Sequence, residues 1–453
     1  MRATRETPAT NRTARTRGWA RAACVLAVAA AVAATAAPAQ AAAPTWGPTA
    51  QVDLGTDGVR ADSQSMTLGI SANGRYALFG SSATNLLAGA AAPAYGLYVR
   101  DLRTGRTELV SRAEDGTPVP NASEQAGISG DGRYIAFSGE ANGVFNVYVR
   151  DRLKGRTQIL TDGTASGTGD HGSYQPVISA DGRHVAFMSA RDDAVAGAAV
   201  TSETRNVYVA DRVTGATRLV SVGADGQPAN GPSENPTISA DGRTVGYSSK
   251  ATNLLPAAPG GDAGVLRQRY TTLYATDLHR GTTVVAGLDP DGTPGSADKV
   301  LRLSPDGRYA AYALAAAPLP GGKSRTELFV SDLRTGRVKS IRTSANPDAI
   351  CWGSSGAAIT ADDRWIYFSG GCSDTIIRAG QARFNLYRQD LGSGRTELVS
   401  TAVDGTQEDG ASLDPFVPEN GRTVLFASTS GNLVPGGPGS YDWHVYTRSL
   451  THG

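Results

Sequence analysis

The chain has 453 residues, with 43 Lys and Arg against 42 Asp and Glu, so it lacks the basic footprint of a nucleic-acid binder. That length has room for two or three ordinary domains, but an internal repeat overrides it. Beyond the N-terminal leader no stretch approaches twenty apolar residues, which excludes a spanning helix in the mature chain.

The leader comes first. Arg2, Arg5, Arg12, Arg15, Arg17 and Arg21 precede an apolar run over residues 24–37, and Ala39-Gln40-Ala41 supplies a small-residue cleavage site. Residues 1–41 read as a secretory signal peptide, 42–49 as a short linker and 50–453 as one folded unit. No Arg-Arg pair is present, which favours general secretion over the twin-arginine route, and Cys24 stands too early for a lipoprotein cysteine. Cleavage leaves a formal charge of about −4. The expected location is extracellular or in the cell envelope.

From residue 65 onward one pattern returns seven times. It centres on Asn73-Gly74-Arg75, Asp131-Gly132-Arg133, Asp181-Gly182-Arg183, Asp241-Gly242-Arg243, Asp306-Gly307-Arg308, Asp362-Asp363-Arg364 and Asn420-Gly421-Arg422. Successive arginines lie 58, 50, 60, 65, 56 and 58 residues apart. An aliphatic residue precedes each turn (Ile70, Ile128, Ile178, Ile238, Leu303, Ile359, Val417). An aromatic follows it (Phe79, Phe137, Phe187, Tyr247, Tyr312, Phe368, Phe426). Alternating apolar runs around a tight turn predict a β-hairpin.

The second copy shows the whole unit. Strand A is predicted over 125–129, B over 134–137, a loop over 138–144, C over 146–150 and D over 156–161. Strand C carries Tyr98, Tyr148, Tyr208, Tyr274, Phe329, Tyr387 and Tyr446. Three residues on, Asp101, Asp151, Asp211, Asp277, Asp332 and Asp390 recur, with Ser449 breaking the series. Four short strands repeated seven times predict an all-β, seven-bladed β-propeller. The last copy ends after strand C, and residues 50–58 resemble the missing strand D with its following turn, so the N-terminal strand is expected to complete the last blade.

The Ile-Ser-Ala-Asp-Gly-Arg-x-x-x-Phe element (Ile178 to Phe187) and the Tyr-x-x-Asp-Leu-x-Thr-Gly pair after it resemble the WD-type repeats of TolB-like propellers over residues 50–453. The resemblance implies the fold; function varies widely among propellers. TolB itself has a separate N-terminal domain and works with envelope partners in the periplasm. That domain has no counterpart here, so its translocation role is not carried over.

In this topology the A–B and C–D turns share one face, and the longer B–C and D–A connections share the other. Strand A starts on the long-loop face. Three columns there, including Ser123, Glu124, Gln125, Tyr174, Gln175, Glu234, Asn235, Asp298, Lys299 and Asp414, are expected to ring the channel mouth with polar groups. The serine column (Ser65, Ser123, Ser173, Ser233, Ser354, Ser412) also has a structural reading, as local side-chain-to-backbone caps.

Catalytic motifs are absent: there is no Gly-x-Ser-x-Gly, His-Glu-x-x-His or phosphate-binding loop, and His171, His184, His279, His444 and His452 are scattered. No cofactor or metal is expected. Cys351 and Cys372 flank the Asp362-Asp363 turn, which predicts a disulfide in an oxidising compartment. The sequence reads as a monomeric, non-catalytic binding platform for an envelope or extracellular protein, peptide or glycan. The alternative is a polysaccharide lyase or glycoside hydrolase with its site at the channel mouth, where Glu124 and Glu234 offer a carboxylate pair.

Overall fold

The computed structural model describes residues 45–453, other than 88, 90–91, 124, 163–171, 192–203, 257–270, 296, 317–324, 344–349, 374–383, 439–441 and 452–453. The side chains of 45, 297–301, 315–316, 325, 350–355 and 372–373 also lie outside the description. Every described element is a strand, and the strands form seven four-stranded antiparallel sheets. This is the predicted seven-bladed β-propeller. Blade 1 is typical, with strands Ser65–Ile70, Tyr76–Ser81, Gly96–Asp101 and Thr107–Leu109 in sequential order.

The repeat columns account for the packing. In every blade the aromatic after the turn lies opposite the strand C aromatic, as Phe79 does Tyr98 and Phe426 does Tyr446. All seven pairs stack at centroid separations of 5.3–6.0 Å. One aromatic pair per sheet, buried in six blades and with Tyr387 half-buried in the other, fills the space between blades and drives the collapse.

The polar columns have partners too. The turn arginine of five blades forms an ion pair with the strand C aspartate of its own blade. These are Arg75–Asp101, Arg133–Asp151, Arg183–Asp211, Arg308–Asp332 and Arg364–Asp390, at 2.6–2.9 Å. The same aspartates accept backbone N–H bonds of the C–D turn, as Asp101 does from Arg103 and Thr104. One carboxylate thereby ties both turns of a blade together. In blades 1 to 6 the serine before the turn, or Thr360 in blade 6, accepts from the chain five residues on, as Ser179 Oγ does from His184 N at 2.9 Å. The small residue beside it bridges blades: Ala72 N donates to Gly130 O, Gly130 N to Ala180 O, Ala180 N to Ala240 O and Ala240 N to Pro305 O, at 2.8–2.9 Å. Glu419 N returns to Ala72 O at 3.0 Å, and Pro305, without an N–H, cannot pass the chain on.

Closure follows the expected route, with an earlier start. Thr45–Gln51 pairs antiparallel with His444–Thr451 as the outer strand of blade 7, beginning inside the stretch read as a linker. Trp46, in that stretch, meets Tyr367 edge-on at 6.3 Å and lies 4.8 Å from the guanidinium of the buried Arg388. Its apolar bulk against blade 6 fixes the strand where the ladder alone would fray.

Blade 2 departs from the prediction. Residues 138–144 are not a loop: strands Tyr134–Ala141 and Val144–Asp151 run on until Ala141 faces Val144. Asn142 and Gly143, with φ of 54° and 77°, make the two-residue turn. An Asn-Gly pair supplies the positive φ that such a hairpin requires, and the sequence held that signal.

Candidate functional site

Strand A starts at the long-loop end of the channel, and four described members of its first column, Ser65, Ser173, Ser233 and Ser412, are buried and not available to a ligand. Ser65, Ser173 and Ser233 are buried and hydrogen-bond across to Ser81, Ser189 and Ser249, each at 2.9 Å. They fasten strand A to strand B through a buried side-chain pair, a third role beside the rim and local-cap readings. Blade 7 varies the theme. Ser412 donates to Glu408 at 2.6 Å, and Ser400, Ser428 and Ser430 converge on the same carboxyl group. Glu408 stands where the corresponding loops carry Val119 and Ala229, and burial pushes its carboxyl up to about 7 against the lowering effect of the four hydroxyls.

The third column behaves differently because strand A breaks register there. Bulges fall between Tyr174 and Val177, between Glu234 and Thr237, and between Leu413 and Phe416. The bulged residues Gln175, Asn235 and Asp414 adopt φ of 56°, 54° and 49°. Such a bulge re-aims a side chain. Gln175 Nε2 donates to Asn235 Oδ1 at 3.1 Å, and Asn235 N donates back to Gln175 Oε1 at 2.8 Å. Two neighbouring blades are thus bridged by exposed amides. Asn235 Nδ2 also donates to Ser248 Oγ at 3.1 Å. At the blade 7–blade 1 boundary, Thr67 Oγ1 donates to Asp414 O at 3.0 Å.

The second column adds an aromatic and an ion pair. Tyr174 lies 5.1 Å from Phe145 of blade 2, both half-buried, so the two rings span the blade 2–blade 3 boundary. Arg205 meets Glu234 at 2.9 Å with 45% and 36% of the side chains exposed, a surface pair of little energetic weight. Phe145 and Arg205 escaped the sequence reading because they enter from strand C rather than strand A. Ser123 Oγ accepts from Gln125 N at 3.2 Å, and the Gln125 side chain is exposed. Glu124 lies outside the described residues, as do the side chains of Asp298 and Lys299, although the strand Ala297–Leu303 that carries them is described.

Of the histidines, His184 packs on Gly242 of the next blade, His279 sits in an exposed turn and His444 is buried beside Asp53; His171 and His452 lie outside the described residues. Among the described residues, no three of His, Cys, Asp and Glu come together as metal ligands. Among the described residues, no helix is long and apolar enough to cross a membrane.

Solved structures share this architecture. An oligogalacturonate lyase in complex with manganese matches 90% of this chain and 98% of its own, with a TM-score of 0.53 and 13% identity. The oligogalacturonate lyase of Vibrio parahaemolyticus matches 90% and 99%, with a TM-score of 0.52 and 13% identity. TolB from Acinetobacter baumannii matches 84% and 82%, at 0.38 and 15%. The chain is a seven-bladed propeller. At such identities the likeness is one of fold, and fold does not carry activity. No protein-family model matches the chain, and the comparison with curated proteins returns no relative.

Proposed function

We propose that this chain is an exported, non-catalytic binding scaffold that presents its long-loop face to an envelope or extracellular peptide, protein or glycan. The observation that carries the reading is the strip across blades 2 to 4. There the Phe145–Tyr174 ring pair adjoins the exposed Gln175–Asn235 amide pair and the Arg205–Glu234 ion pair. Half-exposed aromatic surface beside amide donors and acceptors suits a polar chain laid across it. The described acids of this strip are engaged in pairing, so the strip supports contact more readily than proton transfer.

The test is capture of partners from envelope and culture material on immobilised mature protein, wild type against Tyr174→Ala and Gln175→Ala. Loss of the captured partner in both variants, with unchanged melting, supports the scaffold. Equal capture by all three proteins sinks it. Turnover of an acidic glycan by the wild type would replace the scaffold with the lyase or hydrolase reading.

A further inference from the structure

The opposite end of the channel holds a cavity of about 210 Å³ with an unusual lining. Its wall is the aliphatic column of the repeat, Ile70, Ile128, Ile178, Ile238, Leu303, Ile359 and Val417. The bridging residues of the tight turns, from Ala72 to Pro305, form its rim, with Glu419 among them. The remaining lining includes Arg302, Ala358 and Phe416.

Arg302 breaks the pattern of its own column. The other blades carry Gly69, Gly127, Val177, Thr237, Ala358 and Phe416 at the equivalent place, so one blade of seven sets a cation into the channel. Its guanidinium lies 5.7 Å from the centre of the Phe416 ring. Among the described residues it has no hydrogen-bond partner and no ion pair, whereas the turn arginines of five blades are paired. Burial disfavours its charge, opposed by the field of Asp414. Asp414 itself packs over Gly356 and does not line the cavity. A guanidinium with five donors, no partner and apolar walls leaves strong hydrogen-bonding capacity unspent in a weakly screened place.

We propose that this cavity is a binding site for a small apolar carboxylate, whose carboxylate meets Arg302 and whose hydrocarbon body fills the aliphatic ring. The two oxygens match the fork of the guanidinium, and charge-assisted bonds of this kind are the strong ones. The seven aliphatic side chains supply the remaining affinity by excluding water from the body of the ligand. The volume suits a short branched or aromatic acid. The site is distinct from the long-loop strip and goes beyond the function proposed for it.

Calorimetric titration of the folded mature protein tests this with benzoate, isovalerate, benzamide and inorganic phosphate. A free acid and the C-terminus of a peptide share this chemistry, so a tripeptide ending in Leu, as free acid and as amide, separates the two sources. The expected result is saturable binding of benzoate or isovalerate and none of benzamide. Arg302→Gln should weaken that binding at least tenfold. Ala358→Leu, which keeps the charge and fills space beside it, should do the same, so the pair stays informative if one variant melts early. Glu419→Gln should tighten binding about twofold by removing like charge at the rim. Binding of phosphate equal to that of the acids, or unchanged acid binding in Arg302→Gln, overturns the proposal. So does the absence of saturable binding by any carboxylate at millimolar concentration. Tyr174→Ala should leave acid binding intact, which separates failure here from failure of the long-loop scaffold.

Discussion

His444 Nδ1 lies 2.7 Å from Asp53 Oδ2, joining two buried side chains that are 391 residues apart in sequence. The other oxygen of Asp53 accepts from Val445 N at 3.2 Å and from Gln51 Nε2 at 3.0 Å. In blades 1, 3 and 6 the same duty falls to a serine. Ser111, Ser221 and Ser400 each accept the N–H that opens strand C. Among the described residues, only the blade assembled from both ends of the chain uses a carboxylate here. Asp53→Ala leaves His444 and the Val445 N–H without partners and should cost about 3 kcal/mol, the scale for breaking a buried polar pair. Urea unfolding measures it. Starting the chain at Ala50 instead, which removes Trp46 from Tyr367 and Arg388, should lower the melting midpoint of the whole propeller rather than unfold blade 7 alone.

What the sequence makes legible is whatever seven blades repeat. The Phe79–Tyr98 type of pair, the Asp-Gly-Arg turn and the strand C aspartate stand out as columns, and the structure gives each column one physical partner. Features confined to one blade stay hidden, because nothing in a single Arg302 or Glu408 distinguishes it from a solvated charge. The serine column was visible, but its burial was not. Its mates Ser81, Ser189 and Ser249 recur in strand B, and only the strand pairing shows that the two columns face each other. The bulges that turn Gln175 and Asn235 toward each other have no signature in residue type.

The disulfide remains a prediction, now with a backbone reason. Cys351 and Cys372 are register partners on neighbouring antiparallel strands of blade 6, and their side chains lie outside the described residues. Opposed residues in such a ladder have Cα atoms roughly 4.5–5.5 Å apart, inside the range a disulfide spans. Mass spectrometry of non-reduced exported protein should find the two linked. Reduction should lower the melting midpoint, with a chain-entropy contribution of about 3 kcal/mol. Two free thiols in freshly secreted protein would refute the bridge.

Glu408 makes stability depend on pH in the direction opposite to ordinary acid denaturation. Its carboxyl titrates near 7 in the fold and near its ordinary 4.5 when unfolded, so between those values the native state holds a proton that the unfolded chain has released. Stability should therefore fall as pH rises from 4.5 to about 7 and level off above, with a limiting slope of about 1.4 kcal/mol per pH unit. Glu408→Gln keeps the size and the hydrogen bonding to Ser400 and Ser412 while removing the titration. Urea midpoints across this range should lose the slope in the variant. A slope equal in both proteins would assign it elsewhere.

Asp363 is the one tight turn where the repeat's glycine is replaced by an acid. Gly74, Gly132, Gly182, Gly242, Gly307 and Gly421 adopt φ of 61–74° at the equivalent place, and Asp363 is held at 56°. An L-residue there is strained by roughly 1 kcal/mol or more. Its Oδ1 is buried without a hydrogen bond, and burial with the nearby Asp306 pushes its carboxyl up to about 6. Both effects point the same way. Asp363→Gly should raise the melting midpoint at every pH by relieving the backbone. The gain should be larger at pH 8 than at pH 5, because the wild type loses stability as pH rises from the ordinary 3.8 to its raised value of about 6 and stays at that lower level above it. Asp363→Asn separates the terms: it tolerates positive φ about as well as Asp, so it should recover the pH-dependent part and little of the rest. Differential scanning calorimetry of the three proteins at both pH values decides. A midpoint lowered by Asp363→Gly would mean that this carboxylate, with Arg308 and Arg334 nearby, holds the turn rather than straining it.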